Sequence, residues 1–212
     1  MLIYAHRGGA GEFPEGSLQA YLGAIKAGSD GFECDLRLTK DDQIICYHDP
    51  TTRRLSKLDL KIANTTLSQL KEQVDPLGFV ELLELAIANK KDLVIEFKHP
   101  VPSRGLIEKK THQLLNQYAE QIKSSGIKIS LISFSFLATL RNKKSSHQTG
   151  FLINRKYLAR VNPSQVVAAN LEIIKADHNF VSTQKNKVLN LFLLYLFHQL
   201  QNQYFALFFC SA

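Results

Sequence analysis

The sequence predicts an α/β fold built from βα units around a parallel sheet, with its chemistry at the strand ends. Three observations lead there. Short apolar runs alternate with longer stretches of helical period. Charged and imidazole side chains gather where the apolar runs stop, which is where α/β barrels keep their site residues. The chain has 212 residues, 45% hydrophobic and 21% charged, enough for a packed core in one large domain or two small ones.

The spacing predicts strands over Leu2–His6, Gly31–Leu38, Gln43–His48, Leu93–Lys98, Lys128–Phe134, Thr149–Ile153 and Ile173–Ala176. It predicts helices over Ser17–Ala27, Gly78–Asn89, Leu106–Ser124, Leu137–Asn142 and Pro163–Ala169. Strands separated by helices make parallel crossovers. Gln43–His48 follows its predecessor too closely for a crossover helix and reads as the return arm of a hairpin turning at Lys40-Asp41-Asp42. The tail differs in kind. From Val188 to Ala212 there is no Asp, Glu, Lys or Arg. Its longest clean apolar run, Leu191–Phe197, is far short of the ~20 residues a membrane span needs. The chain therefore divides into a barrel-like region over 1–187 and a charge-free tail over 188–212.

A net charge of +7 suits an anionic partner, but the bases are spread through Arg53–Lys61, Arg141–Lys144 and Arg155–Arg160. That pattern is a solvated face, and no basic run interleaved with aromatics supports nucleic-acid stacking. Three cysteines without Cys-x-x-Cys spacing make neither a disulfide framework nor a zinc site. The N-terminus enters Leu2-Ile3-Tyr4-Ala5 directly, without a signal-peptide pattern, so a cytoplasmic location is expected.

Glu33 and Asp35 stand two apart on a predicted strand and so share a face. A bare Glu-x-Asp is also what a polar edge strand shows. A third carboxylate, Glu96, closes the apolar run Leu93-Val94-Ile95, with Lys98 on its face. His6 and Arg7 end the first strand and run into Gly8-Gly9; His48 ends another before Asp49-Pro50. Three oxygen donors favour a hard cation, Mg²⁺ or Ca²⁺. Histidines supply acid and base near neutral pH, and Arg and Lys complement phosphate oxygens. Together they describe metal-assisted cleavage of a phosphate ester. His99 and His112 read as a loop residue and a helix-surface residue.

Here the chain resembles the glycerophosphodiester phosphodiesterases. The family pattern H-R-G-x-x-x-x-x-P-E-N-T stands as "HRGGAGEFPEGS"; E-x-D-x-x-x-T-x-D-G before a valine-rich strand and H-D stands as "ECDLRLTKDDQIICYHD"; E-x-K stands as "EFK", and S-F as Ser133-Phe134. The resemblance covers residues 1 to about 183. It implies a (β/α)₈ TIM-type barrel that cleaves glycerophosphodiesters to glycerol 3-phosphate and an alcohol. It implies that Glu33, Asp35 and Glu96 hold the metal, His6 and His48 are the catalytic acid/base pair, and Arg7 and Lys98 grip phosphate. Glu15 would support the metal or the glycerol. The expected partner is a small-molecule substrate; the oligomeric state stays open.

The chain departs from that pattern in three places. Gly16-Ser17 replaces Asn-Thr, although Ser17 can still cap a helix, and Asp42 takes the turn-glycine position. After Ser182 the family's seventh and eighth strands, with their tryptophan motif, are not found, and the chain has no tryptophan. The barrel is therefore expected to be incomplete, its last two βα units missing or replaced, with open edges on its first and last strands. The abrupt tail suggests a frameshifted or mis-joined reading frame; a substitute hydrophobic helix, an interface helix and a membrane-contacting segment are the alternatives. An inactive truncated barrel that binds phosphate or a partner is the alternative function.

Overall fold

The computed structural model describes residues 2–101, 104–164, 166–177, 179–180, 190–194 and 206–211. The parallel strands are β1 (Leu2–His6), β2 (Gly31–Leu38), β4 (Asp92–Phe97), β5 (Ile129–Ser133), β6 (Gln148–Ile153), β7 (Val166–Asn170) and β8 (Asn190–Leu194). β3 (Ile44–Cys46) returns antiparallel on β2, as its short connection requires. β9 (Ala206–Ser211) runs antiparallel to both β8 and β1. Because β1 also pairs with β2, the strands join into a ring, with β3 outside it.

This is a (β/α)₈-type barrel whose last units are replaced: the β8–β9 pair stands where two further βα units belong. The expected open edges are covered, on β1 by β9 and on β7 by β8. The tail was unreadable as strand because a charge-free apolar stretch carries neither the two-residue nor the 3.6-residue alternation. Among the described residues no helix is long and apolar enough to cross a membrane.

Two expectations around residue 170 are reversed. Pro163–Ala169 was expected to be helical, but Val166–Asn170 is strand β7; Ile173–Ala176 was expected to be strand, but Leu171–Ala176 is helix α7. Short apolar runs are ambiguous between the two states, and the adjacent β-branched Val166 and Val167 favour the strand. The other helices are α1 (Leu18–Lys26), α2 (Leu67–Lys71), α3 (Phe79–Ala88), α4 (Leu106–Gln117), α5 (Ala119–Ser125) and α6 (Phe136–Asn142). The single helix expected over Leu106–Ser124 breaks at Tyr118 into α4 and α5. Ser17 caps α1, its hydroxyl accepting from Ala20 N at 3.2 Å, and Thr66 and Gln69 form a capping box on α2.

Period-two alternation sorts each strand into two layers. Outward residues Phe32, Cys34, Leu36, Leu93, Ile95, Phe97 and Leu131 pack against the helices. Inward residues Tyr4, Val94, Ile132, Leu152, Val166 and Ala168 fill the barrel. Below them, Tyr4 Oη donates to Asp92 Oδ2 at 2.9 Å, and Gly31 leaves room for the Tyr4 ring: a Cβ there would meet it at 2.3 Å. Going up the barrel, the inward positions turn from apolar to charged. The excursion after β3 has its own small core of Ile45, Tyr47, Ile62 and Leu70, and this core carries His48 to the barrel mouth.

Candidate metal and phosphate site

The inward face of β2 presents Glu33 and Asp35, and Asp35 pairs in register with Glu96 on β4. His6 pairs in register with Glu33 across β1 and β2. All four side chains are buried. One ligand oxygen from each of Glu33, Asp35 and Glu96 lies within 4.8 Å of the others. Lys98 Nζ lies 2.8 Å from Glu96 Oε1 and 3.3 Å from Asp35 Oδ1. Arg7 Nε lies 2.9 Å from Asp35 Oδ2. Arg7 takes a left-handed backbone conformation (φ 51°), and its N–H donates to Glu33 Oε2 at 3.1 Å. The following Gly8, at φ 75°, lies so close to α1 that a Cβ would meet Ala20 at 2.7 Å.

These groups set one another's protonation. Burial pushes the Glu33 carboxyl well up. Burial, then the Asp35 charge, raises Glu96 to about 7. Burial also pushes on Asp35, but Lys98 and Arg7 outweigh it and hold that group down at about 2. Burial lowers Lys98 and Arg7, yet the carboxylates more than compensate and both stay cationic. Burial and then Arg7 lower His6 to about 4, so its imidazole is neutral at pH 7. His6 Nε2 sits 3.7 Å from Glu33 Oε2.

The oxygen atoms are short of directed partners. Glu33 Oε1 and both Asp35 oxygens are buried with no well-directed hydrogen bond, although Asp35 makes its two ion pairs. Buried carboxylate oxygens left in this state carry a desolvation cost that a hard cation would offset. The donor set therefore fits a divalent ion.

His48 stands beside the cluster, in a cavity it shares with Arg7 and Asp35. Its Nδ1 lies 2.6 Å from Asp49 Oδ1. Burial lowers its pKa, with Asp35 opposing and Lys98 and Arg7 adding to the drop. Both Nε and Nη2 of Arg37 donate to the His48 carbonyl, at 2.9 and 2.6 Å. Arg7, Glu15, Asp35, Tyr47 and His48 line one small cavity of about 10 Å³. Glu15 is drawn to Arg7, with Nη1 at 3.2 and 3.3 Å from its two oxygens, and to Arg54.

Every residue that the sequence nominated thus lies in or beside one cluster. Sequence reasoning missed Arg37 and Arg54. Arg37 continues the Glu33–Asp35 alternation, so strand period alone could have placed it on the inner face. Arg54 belongs to an irregular loop and carried no signal beyond the general basic charge of Arg53–Lys61.

The sequence model of the glycerophosphoryl diester phosphodiesterase family matches residues 6–196. A probable glycerophosphodiester phosphodiesterase 1 of Mycobacterium tuberculosis is 31% identical over 155 residues, 64% of this chain and 57% of that protein. An uncharacterised protein of Mycoplasma genitalium is 31% identical over 71% of this chain and 66% of its own length. The chain spans just over half the length of the first curated relatives it matches. The crystal structure of a glycerophosphodiester phosphodiesterase from Thermotoga maritima superposes with a TM-score of 0.75 at 22% identity, covering 92% of this chain and 85% of that one. An Oleispira antarctica phosphodiesterase in complex with the product sn-glycerol-3-phosphate superposes at 0.73 and 19% identity, covering 91% and 83%. With 6–196 matched and the carboxylates, histidines, Arg7 and Lys98 gathered at the barrel mouth, the chain belongs to the glycerophosphoryl diester phosphodiesterase family.

Proposed function

We propose that this chain hydrolyses glycerophosphodiesters to glycerol 3-phosphate and an alcohol, using Mg²⁺ or Ca²⁺ held by Glu33, Asp35 and Glu96. The observation that carries the reading is the convergence of three buried carboxylates, within 4.8 Å, beside a neutral buried histidine. The product named in the Oleispira structure supports the substrate class. When bound, the ion supplies a Lewis acid for a phosphoryl oxygen.

The chain's own residues divide the remaining work. Arg7 and Lys98 grip the phosphate oxygens and orient the diester. His6, neutral at pH 7, takes the proton from the glycerol hydroxyl as its oxygen attacks phosphorus. His48 holds Nδ1 on Asp49, so Nε2 is left to give its proton to the leaving alcohol. The anionic diester raises the low His48 pKa on arrival, placing the proton when it is needed. The P–O bond to the alcohol breaks and a cyclic phosphate forms. Water then opens the ring: neutral His48 takes the proton from water, and protonated His6 returns its proton to the glycerol oxygen.

The 1–187 region supplies all of these groups, and the 188–212 tail supplies the strands that join the ring. The buried free thiols Cys34 and Cys46 suit a reducing, cytoplasmic compartment.

The test is glycerol 3-phosphate release by His6→Ala and His48→Ala. Each is expected to lose about 10²–10⁴-fold in rate while divalent-ion binding, read by calorimetry, is retained. Full activity in either variant would remove the paired-histidine scheme. No release by folded wild-type protein would favour the inactive phosphate-binding alternative.

A further inference from the structure

Two adjacent arginines in the loop after His48 behave in opposite ways. Arg53 points outward: its side chain is 81% exposed, with Asp59 3.3 Å away. Arg54 turns inward and spends its whole guanidinium on two carboxylates. Its Nε donates to Asp49 Oδ2 at 2.6 Å. Its Nη1 and Nη2 donate to Glu15 Oε2 and Oε1 at 2.8 and 2.5 Å. This is the bidentate fork that a planar guanidinium makes and an ammonium cannot.

Each carboxylate is also bound to a group of the proposed reaction. The other oxygen of Asp49 holds His48 Nδ1 at 2.6 Å. Glu15 lies against Arg7 Nη1, while Arg7 Nε reaches Asp35 at 2.9 Å. An unbroken path therefore runs His48–Asp49–Arg54–Glu15–Arg7–Asp35. It joins the loop after β1 to the loop after β3, and Arg54 is its one link between them.

We propose that Arg54 is a positioning residue, a clamp that fixes the proton-donating imidazole of His48 and the phosphate-gripping guanidinium of Arg7 together. The proposal rests on the phosphodiesterase reading above. Without Arg54, Asp49 loses the partner on its far oxygen and can swing away from Nδ1, freeing the imidazole to change tautomer. Glu15, released from one cation, would close on the other. A bidentate Glu15–Arg7 pair would turn the guanidinium away from Asp35 and from phosphorus. Arg54 makes these contacts from a half-exposed side chain outside the packed core, so its removal is expected to spare the fold.

The test uses the full chain with ¹⁵N-labelled histidine. In the wild type the His48 ring nitrogens should report one tautomer, with the proton on Nδ1. Arg54→Ala should show a mixture of tautomers, Arg54→Lys an intermediate state, and Arg53→Ala the wild-type pattern. In parallel, Arg54→Ala should lower kcat for glycerophosphocholine about 10–100-fold and raise KM, because His48 and Arg7 are disturbed together; Arg53→Ala should change neither. Unchanged His48 nitrogens in folded Arg54→Ala would overturn the clamp, as would unchanged kcat and KM. If Arg54→Ala fails to fold, Arg54→Lys carries the same test, and a wild-type pattern in it overturns the fork. The spectrum needs no turnover, so an inactive wild type would sink the phosphodiesterase reading and leave the clamp separately decided.

Discussion

Asp35 on β2 and Glu96 on β4 face each other in register across neighbouring parallel strands, both buried inside the barrel mouth. Lys98 Nζ stands between them, 2.8 Å from Glu96 and 3.3 Å from Asp35, but for Glu96 burial and the Asp35 charge outweigh that one shared cation. Asp35, held down by Lys98 and Arg7, keeps its charge; Glu96 takes the proton up to about pH 7.

That asymmetry predicts a pH-dependent stability. A carboxyl whose folded pKa is raised binds its proton more tightly in the folded state. Its contribution is therefore fully present below the unfolded value and lost as pH rises through the folded one. For Glu96 the window runs from 4.5 to about 7, worth roughly 3 kcal/mol. His6, lowered to about 4, acts with the opposite sign over much of the same range, so wild-type stability alone does not isolate Glu96. The difference between variants does. In metal-free protein, Glu96→Gln should gain about 3 kcal/mol on wild type between pH 4.5 and pH 8, measured by urea unfolding. Saturating Mg²⁺ or Ca²⁺, which takes the proton's place in wild type alone, should remove most of that gain. A pH-independent difference would contradict the assignment.

The role given to His48 predicts a dependence on the leaving group. An alcohol such as choline leaves badly without a proton, whereas a nitrophenolate needs none. His48→Ala should therefore cost about 10²-fold or more on glycerophosphocholine and under about 10-fold on a nitrophenyl diester. His6→Ala should cost a similar factor on both. Equal losses for His48→Ala on the two substrates would reverse or remove the assignment.

Closure by the tail predicts a stability effect far from the chemistry. Phe208 on β9 pairs with Ile3 on one side and Leu193 on the other, so β9 is an interior strand at that point. Proline there removes a ladder hydrogen bond and forces the neighbouring strands apart. Phe208→Pro should destabilise the protein by on the order of 2 kcal/mol and promote self-association through the uncovered β1 and β8 edges. Thermal unfolding and sedimentation read both. An unchanged transition would mean that β9 does not hold the ring.

The residues on regular strands were legible in the sequence because period two fixes their face. Period two puts Glu33 with Asp35 on one strand face and Glu96 with Lys98 on another, while the register between β2 and β4 makes them one surface; Asp42 was expected to enter a left-handed turn, which its φ of 60° bears out. Helix caps were legible at Ser17 but not at Thr66, where α2 is only five residues long. Across residues 163–176 strand and helix stand the other way round from the expectation, since a four-residue apolar run, Val166–Ala169, satisfies either period. The tail strands were invisible because their pairing is set by partners distant in sequence, as with Leu2↔Phe209. Arg54 was hidden for a related reason: its partner Glu15 is 39 residues away, and nothing in an irregular loop marks which arginine turns inward.

The most direct measurement is glycerol 3-phosphate release from glycerophosphocholine by the full chain, before chelation, after it, and after Mg²⁺ or Ca²⁺ is restored. The account predicts release that chelation abolishes and either ion restores, and none at any stage from Asp35→Asn, which removes the charge that anchors the cluster. Release that survives chelation, or that persists in Asp35→Asn, would contradict a divalent-metal phosphodiesterase centred on these three carboxylates.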